Sequence, residues 1–130
     1  MSLYLLDSAI LIDHLRGITQ ATTWLASMQK GDALISVITK AELLSGGTGD
    51  ERLAAIELCE QFECLSITPP IAVAAAELRR KHRWKLPDAF QAALASSRHL
   101  KLATRNTKDF NPKQHGFVLV PYEIPPAQVE

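Results

Sequence analysis

Short apolar runs alternate with segments of helical apolar spacing along the chain. Residues 3–6 form the first continuous apolar run, and residues 8–15 follow at once with apolar side chains at helical spacing. A short run without polar breaks is typical of a strand that is buried on both faces of a parallel sheet. Strand and helix candidates keep alternating to residue 120, which predicts right-handed βαβ units and an α/β fold.

The pattern predicts five short strands and six helices. The strands are placed at residues 3–6, 33–36, 65–67, 101–103 and 117–120. The helices are placed at residues 8–15, 20–29, 37–44, 50–62, 71–82 and 89–99. Parallel strands need crossover helices that cover the sheet, so we expect a three-layer α/β/α domain with a short, mainly parallel central sheet.

Composition limits the size and the partners of this domain. The chain has 130 residues, of which 47% are hydrophobic and 22% charged, which predicts one globular domain over residues 1–130. Lys plus Arg and Asp plus Glu both number 14, so the formal net charge is zero. No basic field surrounds the whole molecule, and any nucleic-acid binding must therefore use a local patch.

The cysteines and the N-terminal segment bear on metal chemistry and on the compartment. Cys59 and Cys64 lack the paired spacing of a zinc site, so we interpret both as reduced core thiols. The first residues have neither the basic lead nor the small-residue cleavage site of a signal peptide. No apolar run is long enough to cross a bilayer. We therefore expect a cytoplasmic protein that makes no membrane contact.

Acidic residues recur where predicted strands end and helices begin. Asp7 follows the first strand, Asp88 stands in the first turn of a helix, and Asp109 lies in the loop after the 101–103 strand. Each has a simpler explanation, because Asp is a favoured N-cap and a negative charge suits a helix N-terminus. Ligands of open α/β sheets bind at the carboxyl ends of the strands, so these acids also predict a site there.

Glu42 is a fourth acidic candidate, within the predicted helix over residues 37–44. None of the residues three or four positions away is a cation, so no helical ion pair accounts for it. The side chain falls at the edge of the apolar arc, beside Ile38. That position favours exposure to solvent and also permits orientation toward a cleft.

Carboxylates that converge need either protons or a cation. Two unit charges about 4 Å apart repel by roughly 4 kcal/mol at an effective dielectric constant near 20. Oxygen ligands without cysteine or paired histidines favour Mg²⁺ or Mn²⁺ over zinc. A divalent cation can activate water and stabilise the charge that develops on a phosphate. The chemistry implied is phosphodiester hydrolysis.

Four sequence blocks follow one another along the chain: DSAILID at 7–13, SVITKAELLSG at 36–46, LPDAFQAALA at 86–95 and LATRNTKDF at 102–110. Together they resemble the PIN-domain ribonucleases, and most of all their bacterial and archaeal branch, the toxins of VapBC toxin–antitoxin pairs. The resemblance covers nearly the whole chain, with the blocks in the right order. The resemblance implies a PIN-like domain, Mg²⁺- or Mn²⁺-dependent endonuclease cleavage of RNA, inhibition by a cognate antitoxin, and a homodimer.

The resemblance also implies roles for individual acids. Asp7, Glu42 and Asp88 match the first three family acids, so they are implied to be catalytic and to bind the metal. For the fourth, many relatives have aspartate where this chain has Asn106, and others keep an acid at the position of Asp109. Two residues are therefore candidates for the fourth position: Asp109 as a catalytic acid and metal ligand, and Asn106 as a metal ligand through its carbonyl oxygen.

Two hydroxyls and one substitution complete the comparison with the family pattern. Ser8 and Thr104 occupy positions where the family commonly places hydroxyls that hydrogen-bond the acidic centre. Ala9 stands where an asparagine is frequent, which removes one contact of this kind. The three core acids are untouched by these departures.

A basic segment, residues 79–85, precedes the third acid. It interleaves five cations with Trp84 and His82. The cations could bind phosphates while Trp84 stacks on a base. A solvated helix end, where cations suit the helix dipole, and a contact with the antitoxin are the alternatives. The residues considered for RNA or antitoxin contact are Arg79, Arg80, Arg83, Trp84 and, closer to the acidic loop, Arg105.

Arg105 has two interpretations of its own. It could contact a substrate phosphate, or it could form a structural ion pair with Asp7 or Asp88, which is the commoner outcome for such an arginine.

Two other function classes fit the same alternation of strands and helices. One is a non-catalytic nucleic-acid or protein-binding module in which the acids serve stability. The other is a phospho-accepting receiver domain, which needs an adjacent acidic pair after an early strand. Asp7 stands alone between Leu6 and Ser8, which weakens the second alternative.

Overall fold

A parallel sheet of five strands forms the centre of the fold. The computed structural model describes residues 2–125. The elements, in chain order, are β1 (Tyr4–Leu6), α1 (Ser8–Leu15), α2 (Thr19–Ala26), β2 (Ala33–Ser36), α3 (Val37–Leu44), α4 (Gly49–Glu60), β3 (Glu63–Leu65), α5 (Pro69–His82), α6 (Leu86–Ser97), β4 (Lys101–Ala103) and β5 (Val118–Leu119). Every strand pair in the sheet is parallel, which confirms the predicted α/β class.

The strand order places a reversal of the chain path beside β1. The order across the sheet is β3-β2-β1-β4-β5, and Tyr4 of β1 lies between Ala33 of β2 and Lys101 of β4. The path runs outward from β1 to β3 and then returns to the other side of β1 as β4. In open α/β sheets such a reversal opens a crevice at the carboxyl ends of the two strands.

Helices cover both faces of the sheet, and the strand side chains alternate between two cores. Leu5 of β1 packs in a core with α5 and α6, whereas Leu6 packs on the opposite face in a core that includes α1, α3 and α4. The three-layer α/β/α prediction is confirmed. Within residues 2–125 no helix is both long and apolar enough to span a membrane. Four buried alanines let α6 approach the sheet closely: Ala89, Ala92, Ala93 and Ala95.

The predicted bounds of α1, β2, α3 and β4 are correct, and the other elements differ by a few residues. Helix α6 begins at Leu86 instead of residue 89, and α5 begins at Pro69 instead of residue 71. Both differences arise because proline fits the first helical turn, where its missing N–H has no intrahelical partner to lose. Strand β3 lies at Glu63–Leu65 because its register with β2 pairs Leu34 with Glu63.

A buried carboxylate ties three parts of the chain together. Asp13 of α1 is 4% exposed, and its two oxygens accept hydrogen bonds from the guanidinium of Arg105, which follows β4. The Tyr122 hydroxyl, in the C-terminal segment, donates to Oδ2 of the same carboxylate at 2.7 Å. Burial of the charge is costly, and these donors offset the cost. The contact holds Tyr122 against α1.

Removal of the Tyr122 hydroxyl tests this anchor. We expect Tyr122→Phe to lower the free energy of unfolding by about 1 to 2 kcal/mol, because a hydrogen bond to a buried charged acceptor is lost. Tyr4→Phe is the matched control, since its ring keeps the edge-to-face contact with Trp24 at 5.4 Å. Its effect should stay within about 0.5 kcal/mol. Urea unfolding measures both, and equal effects would contradict the assignment.

Candidate active site

The carboxyl ends of β1 and β4 carry two polar residues that contact each other. Asp7 directly follows β1, and Thr104 directly follows β4. The Thr104 hydroxyl donates to Oδ2 of Asp7 at 2.7 Å, although the two residues are 97 positions apart. The backbones of the two segments are also hydrogen-bonded, because the Asp7 N–H donates to the Ala103 carbonyl at 2.9 Å. The reversal of the sheet therefore presents a carboxylate, as its topology predicts.

Asp7 serves as a helix cap and as a member of the site at the same time. Its Oδ1 accepts from the Ser8 backbone N–H at 2.9 Å, which caps α1, and the residue is only 9% exposed. Burial raises the pKa of Asp7, while hydrogen bonds from Thr104, Ser8 and Gln91 and the charge of Arg105 lower it. Capping and site membership are therefore compatible.

Helix α3 carries Glu42 to the same region. The side chain is exposed, as the local pattern favours, so its contacts rather than its burial connect it to the site. Desolvation of the carboxylate raises the pKa of Glu42, a side-chain hydrogen bond with Ser8 lowers it, and the charge of Asp7 raises it. Ser8 thus bonds to Asp7 through its backbone N–H, and its side chain lowers the pKa of Glu42.

The pKa of Asp88 depends on the charges of the other three acids. Its pKa is raised from 3.8 to about 6, first by burial and then by the negative charges of Asp7, Asp109 and Glu42. The charge of Lys85 lowers the pKa and offsets only part of this effect. The charges of three other acids therefore act on Asp88 of α6, from the end of β1, from α3 and from the loop after β4.

The loop after β4 distinguishes Asp109 from Asn106. The Asn106 Nδ2 donates to Oδ2 of Asp109 at 3.1 Å, and its Oδ1 accepts from the Asp109 backbone N–H at 3.3 Å. The backbone N–H of Asn106 donates to the Thr104 hydroxyl at 3.0 Å. Asp109 acts electrostatically on Asp88, whereas the Asn106 side chain is turned toward Asp109. This arrangement favours Asp109 as the fourth acid.

The chemistry of these side chains fits a hard divalent cation. Across residues 2–125, no three His, Cys, Asp or Glu side chains are close enough together to form a ready-made metal site. The acids interact through charge at longer range. Every charge that shifts the pKa of Asp88, apart from that of Lys85, belongs to a carboxylate. Such an excess of negative oxygen donors favours Mg²⁺ or Mn²⁺.

Comparison with known proteins identifies the family. The family model of the PIN domain matches residues 4–113, which is most of the chain. This chain belongs to the PIN-domain family. Among its relatives, Ribonuclease VapC10 of Mycobacterium tuberculosis is 38% identical over 112 residues, which cover 82% of this chain and 84% of the relative.

Solved structures similar to this PIN domain confirm the fold. A toxin–antitoxin complex from Klebsiella pneumoniae has a chain with a TM-score of 0.84 and 34% identity, matching 93% of this chain and 99% of its own. FitAcB from Neisseria gonorrhoeae has a TM-score of 0.78 and 26% identity, matching 94% of this chain and 100% of its own. The likeness therefore extends over nearly the whole length of each protein.

Trp84 belongs to the core of this PIN domain, so the prediction that it stacks on an RNA base is wrong. The residue is 4% exposed, and its ring stacks on His82 with ring centroids 4.2 Å apart. Phe110 packs edge-on against it at 4.8 Å. The indole Nε1 donates to the backbone carbonyl of Asp109 at 3.0 Å. Its apolar ring is buried by these neighbours and is not available to a base.

Arg105 forms the predicted ion pair, but with a different partner. Its guanidinium binds both oxygens of Asp13 instead of Asp7 or Asp88. The reason is geometric, because α1 turns Asp13 toward the loop that follows β4. The Asp13 contact raises the pKa of Arg105, and its charge still lowers the pKa of Asp7 from a distance.

All five cations of the basic segment are exposed, and one of them also bonds to the backbone. Arg79 donates from Nη1 to the Trp84 carbonyl at 3.0 Å and so supports the turn between α5 and α6. Arg83 ends α5 with a left-handed φ of 59°, which reverses the chain toward Lys85. Arg80, Arg83 and Lys85 are exposed and remain available to a ligand.

Sequence reasoning misses the polar groups buried behind the acids. Gln91 is 2% exposed and bonds to Ser36 and Thr39, which are also buried. The available signal is a glutamine inside the otherwise apolar run AFQAALA. Asp13 is missed as well, and the apolar residues around it in the run AILIDHL are the available signal of its burial.

The electrostatics of Asp88 predict a pH-dependent gain in stability when its charge is removed. The folded chain binds a proton at Asp88 more tightly than the unfolded chain, because the pKa rises from 3.8 to about 6. The ionised carboxylate therefore destabilises the fold progressively above about pH 4, and fully above about pH 6. In metal-free buffer at pH 7.5, Asp88→Asn should raise the free energy of unfolding by about 1 kcal/mol, after allowance for solvent screening.

Denaturant unfolding of Asp88→Asn at pH 4 and pH 7.5 measures this gain. The difference from the parent should vanish at the lower pH. Asp50→Asn is the matched control, because Asp50 is exposed and also stands in the first turn of a helix. A gain for Asp88→Asn that is the same at both pH values would refute the electrostatic account.

Proposed function

We propose that this PIN domain is an Mg²⁺- or Mn²⁺-dependent endoribonuclease and the toxin of a type II toxin–antitoxin pair. One observation carries the catalytic part: Asp88 is repelled by Asp7, Glu42 and Asp109 at the carboxyl edge of the sheet. An ionised Asp88, half-buried and subject to three negative charges, is costly to the fold, and a bound cation would offset that cost. The similarity to Ribonuclease VapC10 supports RNA as the substrate.

In this proposal the four acids hold the metal, and Asn106 contributes its carbonyl oxygen or positions Asp109. When bound, a divalent cation activates water and neutralises charge that develops on the phosphate. The hydroxyl of Thr104 and the backbone N–H of Ser8 orient Asp7. These contacts limit the rotation of its carboxylate, and so support a fixed ligand geometry.

Exposed cations next to Asp88 support the binding of an RNA backbone. Lys85 is close enough to lower the pKa of Asp88, and Arg80 and Arg83 are exposed in the same segment. A local basic patch is what a chain of zero net charge needs in order to attract a polyanion. We propose that these three side chains contact phosphates on one side of the scissile bond.

Further proposals concern the partners and the setting of the protein. The toxin–antitoxin complex among the similar structures supports a cognate antitoxin as a partner. Exposed apolar side chains, such as Val73 at 66% and Leu53 at 53%, suit contacts with a second protein chain, and we propose a homodimer. We also propose that residues 1–130 act as one domain and that the protein meets its RNA in the cytoplasm.

Substitution of single acids by their amides tests the catalytic assignment. We expect Asp7→Asn and Asp88→Asn to reduce RNA cleavage at least about a hundredfold, because one charged ligand is lost. Asparagine is also a good N-cap, so Asp7→Asn should keep α1 intact. Asp50→Asn should cleave at the parent rate. Retention of the parent rate by Asp7→Asn, with an unchanged thermal melt, would show that the assignment is wrong.

Stabilisation by Mn²⁺ separates an enzyme from a binding module on the same fold. A metal concentration 100 times the dissociation constant should stabilise the parent by about 2.7 kcal/mol. Thermal melts with and without Mn²⁺ measure the shift, which should be lost in Asp7→Asn and kept in Asp50→Asn. A non-catalytic module need not bind the metal. A parent melt that does not respond to Mn²⁺ would favour that alternative.

A further inference from the structure

We infer that Gln91 is a positioning residue that holds together the three elements that carry Asp7, Glu42 and Asp88. The inference rests on the proposed role of these acids as metal ligands. It concerns a side chain that contacts neither substrate nor metal, and it acts through the hydrogen bonds described below.

Gln91 lies at the centre of a buried hydrogen-bond network. The Ser36 hydroxyl donates to its Oε1 at 2.6 Å, and its Nε2 donates to the Thr39 hydroxyl at 2.7 Å. The Thr39 hydroxyl donates in turn to the Leu6 carbonyl at 3.1 Å. The Ser36 hydroxyl accepts from the Thr39 backbone N–H at 3.2 Å and thereby caps α3. One side chain of α6 is thus bonded to α3 and, through Thr39, to β1.

The members of this network stand next to the acids in sequence. Leu6 immediately precedes Asp7, Thr39 is three residues before Glu42, and Gln91 is three residues after Asp88. Three residues correspond to about one helical turn, so each helical contact lies beneath the acid on the same helix. The network therefore sets the spacing of the three elements at the level of the carboxylates.

The donors and acceptors of the network require a glutamine. The Thr39 hydroxyl donates its hydrogen bond to the Leu6 carbonyl, so it can only accept a hydrogen bond from residue 91. The Ser36 hydroxyl accepts from the Thr39 N–H, so its own proton goes to an acceptor on residue 91. The side chain at position 91 must offer one acceptor and one donor at the right distance. Glutamate lacks the donor, and methionine lacks both.

This bracing keeps the three elements that carry the acids at a fixed spacing. Like charges on Asp7, Glu42 and Asp88 repel one another when ionised. Gln91, bonded to Ser36 and Thr39, keeps α6 beside β2 and α3 against that repulsion. Outer contacts of this kind commonly change metal affinity about 10- to 100-fold.

The affinity for Mn²⁺ in metal-stripped protein tests the inference. Gln91→Met keeps the size of the side chain and removes both hydrogen bonds, and we expect its dissociation constant for Mn²⁺ to rise at least about tenfold. Leu58→Ala is the control for a general loss of stability, because Leu58 lies on α4 and is buried in the core on the face of the sheet opposite α6. It should bind Mn²⁺ as the parent does. Titration calorimetry gives the constants, and thermal melts give the stabilities.

A second pair of variants decides the matter if Gln91→Met does not fold. Thr39→Ser keeps the bridging hydroxyl, and Thr39→Val removes it with little change in volume. Thr39→Ser should keep the parent affinity, and Thr39→Val should lose at least about tenfold. Equal affinities in this pair, parent affinity in Gln91→Met, or an equal loss in Leu58→Ala would each overturn the inference.

The same proteins separate this inference from the proposed function. RNA cleavage by the parent, together with unchanged Mn²⁺ affinity in Gln91→Met, would leave the enzyme assignment intact and refute the positioning role. Absence of RNA cleavage by the parent, together with weaker Mn²⁺ binding in Gln91→Met and Thr39→Val, would refute the ribonuclease assignment and support the positioning role.

Discussion

Burial of negative charge at the carboxyl end of the sheet is the constraint that the rest of this structure has to offset. The path of the chain reverses beside β1, so the segments after β1 and β4 meet at one edge. Burial first, and then the charges of Asp7, Asp109 and Glu42, raise the pKa of Asp88 to about 6, so the fold disfavours ionisation of this carboxyl group. A protein selected for stability alone would avoid such an arrangement, which is why it indicates a functional site.

Two buried hydrogen-bond systems hold together the segments that carry the acids. On one side the Thr104 hydroxyl donates to Asp7 and accepts from the Asn106 backbone, so a single oxygen fixes the first acid and the loop of the fourth. On the other side Gln91 connects α6 with α3. Both systems have their donors and acceptors matched, which makes buried polar groups stabilising instead of costly.

Some aromatic and basic residues around the site stabilise the fold, and others are exposed and can contact a ligand. Trp84 stacks under His82 and donates to the Asp109 carbonyl, so an aromatic ring in a basic segment supports the acidic loop from within. Arg105 forms its ion pair with Asp13 and not with the four candidate acids. The negative charge therefore remains available to a cation, and exposed arginines at the end of α5 remain available to a polyanion.

The sequence by itself determined most of the elements and pointed to the four candidate acids. Apolar spacing, proline positions and capping residues act over a few residues, which is why the bounds of α1, β2, α3 and β4 follow from the local pattern. The motif around Asp7, the glutamate of α3 and the Pro87-Asp88 pair carry the family resemblance, and the family match agrees with it. The positions of acids at strand ends are likewise visible in the linear chain.

Only the tertiary structure decided which of these residues meet. Arg105 binds a carboxylate 92 positions away, and Gln91 bonds to a serine 55 positions away, so neither contact leaves a periodic trace in the sequence. The burial of Trp84 depends on α5, α6 and the loop after β4 packing together, while its basic neighbours suggest an exposed site. Such contacts depend on the order of the strands in the sheet, and local patterns of polarity do not encode that order.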